Sequence, residues 1–197
     1  LNEGHSVFGF DIKTPPDKLF SYKYFYPIIE DVRNVENFPS ISDINVVINN
    51  AGVQNSDDDI STNLIGTINI TEFYGLNPQI VSIMNMASAH NGAEFGRYVA
   101  SKGGVLAYTK WTAKEIAKWG ATCNSLSFGG VNTDLNKPVM DDRGLWDHIM
   151  DMTPLKKWMT PEECADWIYF FTVNNKSCSG QDLIIDNLET LNHTFVW

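Results

Sequence analysis

A tyrosine and a lysine four positions apart are the residues of this sequence with the clearest chemical use. Tyr98 and Lys102 lie in an amphipathic segment that extends from about Arg97 to Trp119, and their spacing places both side chains on one face of a helix. A nearby ammonium favours the phenolate, so we expect Lys102 to lower the pKa of Tyr98 and make the phenol a usable proton donor and acceptor. The spacing alone is a weak signal, because such pairs also arise by chance.

Ser88 is placed to act beside this pair. The apolar run from Gln79 to Ala87 predicts a buried strand, and Ser88 follows it directly. The Ser88 hydroxyl could hydrogen-bond the same substrate oxygen that Tyr98 protonates. These three residues therefore predict a site for proton transfer at the carboxyl end of a strand.

Three further motifs accompany Ser88–Lys102 in a fixed order. Asn49–Gly52 (Asn-Asn-Ala-Gly) closes an apolar strand, Asn63–Gly66 (Asn-Leu-Ile-Gly) falls in the next predicted helix, and Gly129–Thr133 follows the strand after Lys102. In this order and at these intervals the motifs resemble the short-chain dehydrogenase/reductase family. The resemblance covers nearly the whole chain, from about Val7 to Asp186.

The resemblance implies both a fold and an activity. The implied fold is a doubly wound parallel α/β sheet, Rossmann-like and three-layered, forming one dehydrogenase domain over residues 1–197. The implied activity is NAD(H)-dependent interconversion of a secondary alcohol and a ketone. In that reaction Tyr98 would be the general acid/base, Lys102 would depress its pKa and bind ribose, Ser88 would orient the carbonyl, and Asn63 would hold a relay water.

The cofactor contacts also follow from the resemblance. A carboxylate that ends the second strand of a dinucleotide fold accepts hydrogen bonds from the ribose and repels a 2′-phosphate, so Asp11 favours NAD over NADP. The expected cofactor-binding residues are Asp11, Ile12, Asp31, Val32, Asn50, Ala51, Gly52, Tyr98, Lys102, Gly129, Val131 and Thr133.

The N-terminal part departs from the family pattern. The family begins with a strand and a glycine-rich turn that binds the pyrophosphate, and neither lies before the strand at Ser6–Phe10. Since that missing strand belongs in the middle of the sheet, its absence should leave a gap there with unpaired strand edges. We expect a further N-terminal segment of roughly 20 or more residues, the length of a βα unit.

Two smaller departures lie near the proton-transfer residues. Ten positions separate Ser88 from Tyr98, fewer than the family usually has, which leaves the reach of Ser88 open. Phe128 stands where the family usually has a proline before Gly129. The glycine keeps the close backbone approach, whereas the rigidity of the proline is lost.

The segment Leu135–Met152 is rich in methionine, tryptophan and leucine. Such residues at helical spacing usually form core, but in the family this segment covers the substrate. Adaptable methionine and broad tryptophan surfaces suit an apolar ligand, so we expect a lid over a small apolar alcohol or ketone. The aromatic tail Leu188–Trp197 should pack on a partner subunit or on this lid.

The composition excludes several other classes of protein. With 43% hydrophobic and 19% charged residues and a formal charge of −10, the chain suits neither a nucleic-acid surface nor an anionic membrane. No apolar run is long enough to span a bilayer. Three scattered cysteines indicate a reducing, cytoplasmic setting, and no histidine has ligand spacing, so no metal site is expected.

Two rival functions remain open. A cofactor-free family member acting as a scaffold would explain the absent glycine-rich turn and the short Ser88-to-Tyr98 spacing, although a scaffold does not need Ser, Tyr, Lys and Asn together. An NAD-dependent epimerase or dehydratase also uses a Tyr–Lys pair. By resemblance, the helices near 58–74 and 98–119 should pair subunits into a homodimer or homotetramer.

Overall fold

The computed structural model describes residues 1–88 and 95–191 of the chain. Its strands are short segments bounded by polar residues and turns. They are β1 (Val7–Asp11), β2 (Phe25–Ile29), β3 (Val46–Asn49), β4 (Ser82–Met86), β5 (Thr122–Phe128) and β6 (Asp182–Ile185). Every ladder between them is parallel, so all of their carboxyl ends that share a sheet lie at one edge.

The parallel strands form two sheets. Strands β3, β4, β5 and β6 pair in that order, and β1 pairs only with β2. Within the described residues no ladder joins β1 to β3, so each presents an unpaired edge. The unpaired strand edges that the sequence predicts are therefore present, while the further N-terminal strand remains a prediction.

The described residues form five helices, some of which pack on the two faces of the four-stranded sheet. They are α1 (Gly66–Ile70), α2 (Gly96–Ile116), α3 (Lys137–Asp141), α4 (Arg143–Met152) and α5 (Pro161–Tyr169). Asp59–Ile65 and Thr71–Gly75 flank α1 as π-helical turns, and Phe170–Asn174 continues α5 in the same form. The helix predicted as one element from Ser56 to Tyr74 is thus a π–α–π series.

Alternation along β4 places the core on both faces of this sheet. Ile83 packs with the first core cluster, which includes Val47 and Ile116, while its neighbour Met84 packs with Leu126 and Phe171 in the second. Successive strand residues point to opposite faces, so two hydrophobic layers form around one sheet. The predicted three-layered, doubly wound α/β fold is confirmed.

Local signals set the ends of several elements. Thr160 accepts a hydrogen bond from the Glu163 amide at 3.2 Å, and the Glu163 carboxylate accepts one from the Thr160 amide at 2.9 Å. This capping box starts α5, with Pro161 at its first position. In the part of the chain that the structure describes, no helix has both the length and the apolar character that crossing a bilayer requires.

Candidate active site

Tyr98 and Lys102 lie in the first turns of α2 and share one face, as their spacing predicts. Lys102 is only 7% exposed, and its Nζ donates a hydrogen bond to the carbonyl oxygen of Met86, the last residue of β4, at 2.9 Å. The same Nζ lies 5.7 Å from the centre of the Tyr98 ring. The buried ammonium thus sits between the tyrosine and the carboxyl end of a central strand.

The ionisation of this pair differs from the sequence-based expectation. Burial lowers the pKa of Lys102 to about 8, because the charged form loses hydration. The pKa of Tyr98 is raised, first by burial and then by the carboxylate of Asp59. The predicted lowering of the Tyr98 pKa is therefore wrong, because burial of the phenol and the nearby Asp59 carboxylate both raise it.

Asn63 joins this site from the π-helical turn before α1. It is 1% exposed, its Oδ1 accepts from the Val53 amide at 2.7 Å, and its Nδ2 donates to the Val53 carbonyl at 2.9 Å. The same Nδ2 donates to Ser101 Oγ at 3.0 Å, next to Lys102. A mid-helix asparagine bonded to a loop and to a second helix accounts for the local π geometry.

Gly52 lies directly against the asparagine and the lysine. A Cβ atom at this position would be 3.1 Å from Asn63 Oδ1, a tight contact, and 3.7 Å from Lys102 Nζ, an ordinary one. The preceding Asn49 is buried, and its Nδ2 donates to Asn85 Oδ1 at 2.8 Å. This amide joins β3 to β4, while Asn50 and Ala51 remain exposed.

Ser88 follows β4 in a left-handed backbone conformation, with φ at +57°. Its amide donates to Ser127 Oγ at 2.9 Å, and its hydroxyl donates to the Phe128 carbonyl at 2.7 Å. Ser88 is therefore attached to the end of β5. The shortened segment that leads from it to α2 falls largely on residues 89–94, outside the described residues.

The glycines after β5 allow close backbone packing. A Cβ at Gly129 would lie 2.8 Å from Asp186 Cα, and one at Gly130 would lie 2.0 Å from the Trp158 ring. Val131 forms a parallel bridge with Met159, and Thr133 is extended before a short 3₁₀ turn. The predicted cofactor contacts Gly129, Val131 and Thr133 thus lie in one segment, residues 129–133, directly after β5.

The remaining predicted contacts follow the separate β1–β2 sheet. Asp11 ends β1 and accepts the Lys13 amide at 2.9 Å, and Ile12 beside it is 65% exposed. Asp31 follows β2, where a two-pronged interaction with Arg33 lowers the pKa of its carboxyl. Val32 is buried. The structure thus groups the candidate residues into a candidate catalytic set beside β4, a segment after β5 and a further set after β1 and β2.

The sequence reasoning missed three polar residues around the catalytic set. Asp59 is 1% exposed near Tyr98, while Ser127 and Asp182 lie on neighbouring strands and hydrogen-bond each other. A signal for the last two exists in the sequence. Ser125 and Ser127 alternate within β5, and same-face serines within a buried strand indicate a polar partner on the adjacent strand.

A Rossmann-like parallel sheet with Tyr98, Lys102 and Asn63 at its carboxyl edge defines a class of dinucleotide-fold protein. Residues 36–187 match the family model described as enoyl-(acyl carrier protein) reductase. The chain belongs to the short-chain dehydrogenase/reductase family.

Individual proteins show the same relationship. The 3-oxoacyl-[acyl-carrier-protein] reductase FabG of Staphylococcus epidermidis is 28% identical over 163 residues, 73% of this chain and 65% of the relative. The chain thus spans about two thirds of that relative's length.

Solved structures agree on the fold. A 4-hydroxyisoleucine dehydrogenase mutant complexed with NADH and succinate has a TM-score of 0.83 at 23% identity, covering 96% of this chain and 90% of that one. A gluconate 5-dehydrogenase from Burkholderia cenocepacia in complex with NADP and tartrate has a TM-score of 0.81 at 21% identity, covering 96% and 87%.

Proposed function

We propose that this chain belongs to an NAD(H)-dependent oxidoreductase that interconverts a secondary alcohol and a ketone. The observation that carries the proposal is the burial of Lys102 between Tyr98 and the end of β4, with Asn63 and Gly52 against it. Burying an ammonium costs free energy unless the charge is paired and hydrogen-bonded, so a buried lysine at this position points to a function. Family membership supports an oxidoreductase in which a tyrosine and a lysine move a proton.

In the proposed reduction, Tyr98 donates its phenolic proton to the carbonyl oxygen. Its raised pKa keeps the phenol protonated at neutral pH and suits it to act as an acid. Lys102 stabilises the phenolate that remains. Asn63, fixed by its hydrogen bonds to Val53 and Ser101, would hold the relay water. Ser88 orients the carbonyl by turning its hydroxyl from the Phe128 carbonyl towards the substrate.

The cofactor would bind along the carboxyl edge of both sheets. Gly52, which lies beside Lys102, and the segment Gly129–Thr133 would receive the nicotinamide half. Asp11 with Ile12, and Asp31 with Val32, would receive the adenosine half. When bound, the nicotinamide ring supplies or accepts the hydride.

The preference for NAD rests on Asp11. This exposed carboxylate would accept ribose hydroxyls and repel a 2′-phosphate. Replacing it by asparagine keeps the acceptor and removes the charge, so the ratio of NADPH to NADH affinity should rise about tenfold, as expected for the loss of one close charge repulsion. Titration of both nucleotides measures this ratio, and an unchanged ratio would remove Asp11 from the cofactor contacts.

We also propose that residues 1–197 form a single dehydrogenase domain whose sheet is completed by one further strand. Within the described residues β1 pairs only with β2, and β3 pairs only with β4, so each has an edge to which such a strand could pair. A glycine-rich turn after it would supply the pyrophosphate site. Filling the gap would join the two sheets and both halves of the proposed cofactor site.

The substrate is proposed to be a small, apolar ketone or its alcohol. Helices α3 and α4 carry the predicted lid residues, and Trp146 packs edge-to-face on Trp158 with ring centres 5.0 Å apart. Because the relative from Staphylococcus epidermidis is named for 3-oxoacyl reduction, 3-oxoacyl thioesters belong in the first substrate panel.

Assembly and location complete the proposal. Ile65 and Phe73 on the π–α–π series and Trp111 on α2 are each more than 40% exposed, which favours subunit pairing through these helices. The last tail residues, 192–197, lie outside the described residues. Three free cysteines are consistent with a reducing cytoplasmic location.

The deciding experiment compares NADH binding by residues 1–197 with binding by the protein from its full reading frame. We expect the full protein to bind NADH and to oxidise it with acetoacetyl-CoA or an apolar ketone. A folded full protein that binds neither NADH nor NADPH would favour the scaffold. Product isomerisation without net change in nicotinamide absorbance would identify an epimerase.

A further inference from the structure

A carboxylate lies one hydrogen bond away from the residue that holds Ser88. Asp182, the first residue of β6, accepts a hydrogen bond from Ser125 Oγ at 2.7 Å and from Ser127 Oγ at 2.9 Å. Both serines are 1% exposed. Ser127 Oγ in turn accepts the Ser88 amide at 2.9 Å, so one chain of contacts joins Asp182 to Ser88.

Chemistry fixes the direction of each of these hydrogen bonds. An ionised carboxylate can only accept, so the Ser127 hydroxyl must donate its single proton to Asp182. The lone pairs of Ser127 Oγ are then the groups left to receive the Ser88 N–H. The carboxylate therefore determines the orientation of the hydroxyl that Ser88 requires.

Ser88 needs such support because of its backbone. A φ of +57° is unfavourable for a residue with a side chain and persists where its surroundings over-determine it. The amide bond to Ser127 and the hydroxyl bond to the Phe128 carbonyl hold the residue from two sides. Loss of the first would free the backbone and move the hydroxyl.

We propose that Asp182, acting through Ser127, is a positioning residue for Ser88. The inference rests on the function proposed above, in which the Ser88 hydroxyl turns its proton from Phe128 towards the substrate oxygen. With the amide anchored, the Ser88 oxygen stays in place while only its proton changes direction. Asp182 and Ser127 touch neither substrate nor cofactor in this arrangement.

The competing explanation is that Asp182 only links β5 to β6. Ser125 would suffice for that, since it lies opposite Asp182 in the ladder and bonds the same carboxylate. Ser127 adds a second bond to the carboxylate and the contact to Ser88. Ser125→Ala and Ser127→Ala therefore form a matched pair, because each removes one hydroxyl from Asp182 and only the second breaks the route to Ser88.

The first test needs no substrate. Amide hydrogen exchange at Ser88, followed by nuclear magnetic resonance, should accelerate about tenfold or more in Ser127→Ala and in Asp182→Val, while Ser125→Ala leaves it near the wild-type rate. Ser127→Thr, which keeps a hydroxyl, should restore slow exchange. Equal acceleration in the two alanine variants would overturn the proposal. If Asp182→Val does not fold, the serine pair still decides.

The second test is a double-mutant cycle on the active protein with Ser88→Ala. Ser127→Ala should lower kcat about tenfold with little change in the KM for NADH, and should have no further effect in the Ser88→Ala background. Additive losses would show a structural role independent of Ser88. A wild-type protein without carbonyl reduction would refute the proposed function, while the exchange experiment would still decide the positioning role.

Discussion

The two sheets of this protein differ in how they are held. In the four-stranded sheet, six of the seven residues of β5 are buried and β4 is buried up to Asn85. In the other sheet, every residue of β1 and β2 is at least partly exposed. The residues proposed for proton transfer, which need a fixed geometry, therefore lie beside the buried strands. Asp11, proposed to select the nucleotide, ends a strand of the exposed sheet.

A few contacts attach the exposed sheet to the rest. The Phe10 ring lies 5.5 Å from Phe38 and 5.6 Å from Tyr74, edge-on to both. After β2, Val32 packs against Gly66 at the start of α1. The half of the proposed cofactor site that follows β1 and β2 should therefore open more readily than the half beside β4 and β5.

Tyr98→Phe should have the largest effect, confined to the buried side. Removing the phenolic oxygen abolishes the proposed proton transfer, so kcat should fall by roughly 10²- to 10⁴-fold. Thermal stability should change little, because the ring remains. Steady-state kinetics with the best ketone measure the loss, and a variant that keeps wild-type kcat would exclude Tyr98 as the acid.

Lys102→Met should have a higher free energy of unfolding than the wild type at neutral pH, and this difference should disappear at high pH. The folded protein holds the Lys102 proton less tightly than the unfolded chain does, with a pKa of about 8 against 10.5. The unfolded state thus binds more protons between these values, and the wild-type free energy of unfolding rises with pH relative to the variant. The full difference is about 3 kcal/mol at most.

Urea unfolding across this pH window measures the difference for Lys102→Met. Lys110→Met removes an exposed lysine from the same helix and is the matched control for charge and helix propensity. A wild-type-to-variant difference that does not vary with pH would contradict the prediction. Because the lysine destabilises the fold at neutral pH, its presence is better explained by function.

Phe10→Ala should loosen the exposed sheet selectively. The substitution removes the ring that contacts Phe38 and Tyr74, at a cost of about 2 kcal/mol for a half-buried phenylalanine. Amide exchange in β1 and β2 should accelerate, while the slowest amides of β4 and β5 keep their rates. Equal acceleration in both sheets would show that the protein unfolds as one cooperative unit.

Gly66→Ala should act at the junction of the two regions. The added Cβ would lie 2.4 Å from Val32 Cγ2, and such overpacking costs about 1–3 kcal/mol. Gly103→Ala is the control, since a Cβ there has no neighbour within 4 Å and alanine favours a helix by about 1 kcal/mol. The midpoint temperature of unfolding should fall in Gly66→Ala and rise in Gly103→Ala. A shift in the same direction in both variants would contradict this prediction.

Much of the architecture could be predicted from local patterns. Apolar runs located the strands after Asn45 and before Ser88, because a strand covered on both faces has no polar side. The i,i+4 spacing placed Tyr98 and Lys102 on one face of a helix. The gap between β1 and β3 was predicted from the position at which the family's first strand would lie.

Electrostatics and long-range polar contacts could not be predicted in this way. The spacing of Tyr98 and Lys102 indicated a lowered tyrosine pKa, yet burial raised it, since desolvation depends on every element that packs around the phenol. Asp59 contributed from a segment far away in the sequence. The contact of Ser127 with Asp182 joins residues 55 positions apart, and only the parallel register brings them together.

The sequence by itself therefore determined the elements and their order, because hydrophobic period, capping and glycine placement act over a few residues. The tertiary structure alone decided which charges are buried, which hydroxyls face a carboxylate and where the sheet separates. These properties depend on solvent exclusion and on contacts between distant segments, which exist only after the chain has packed.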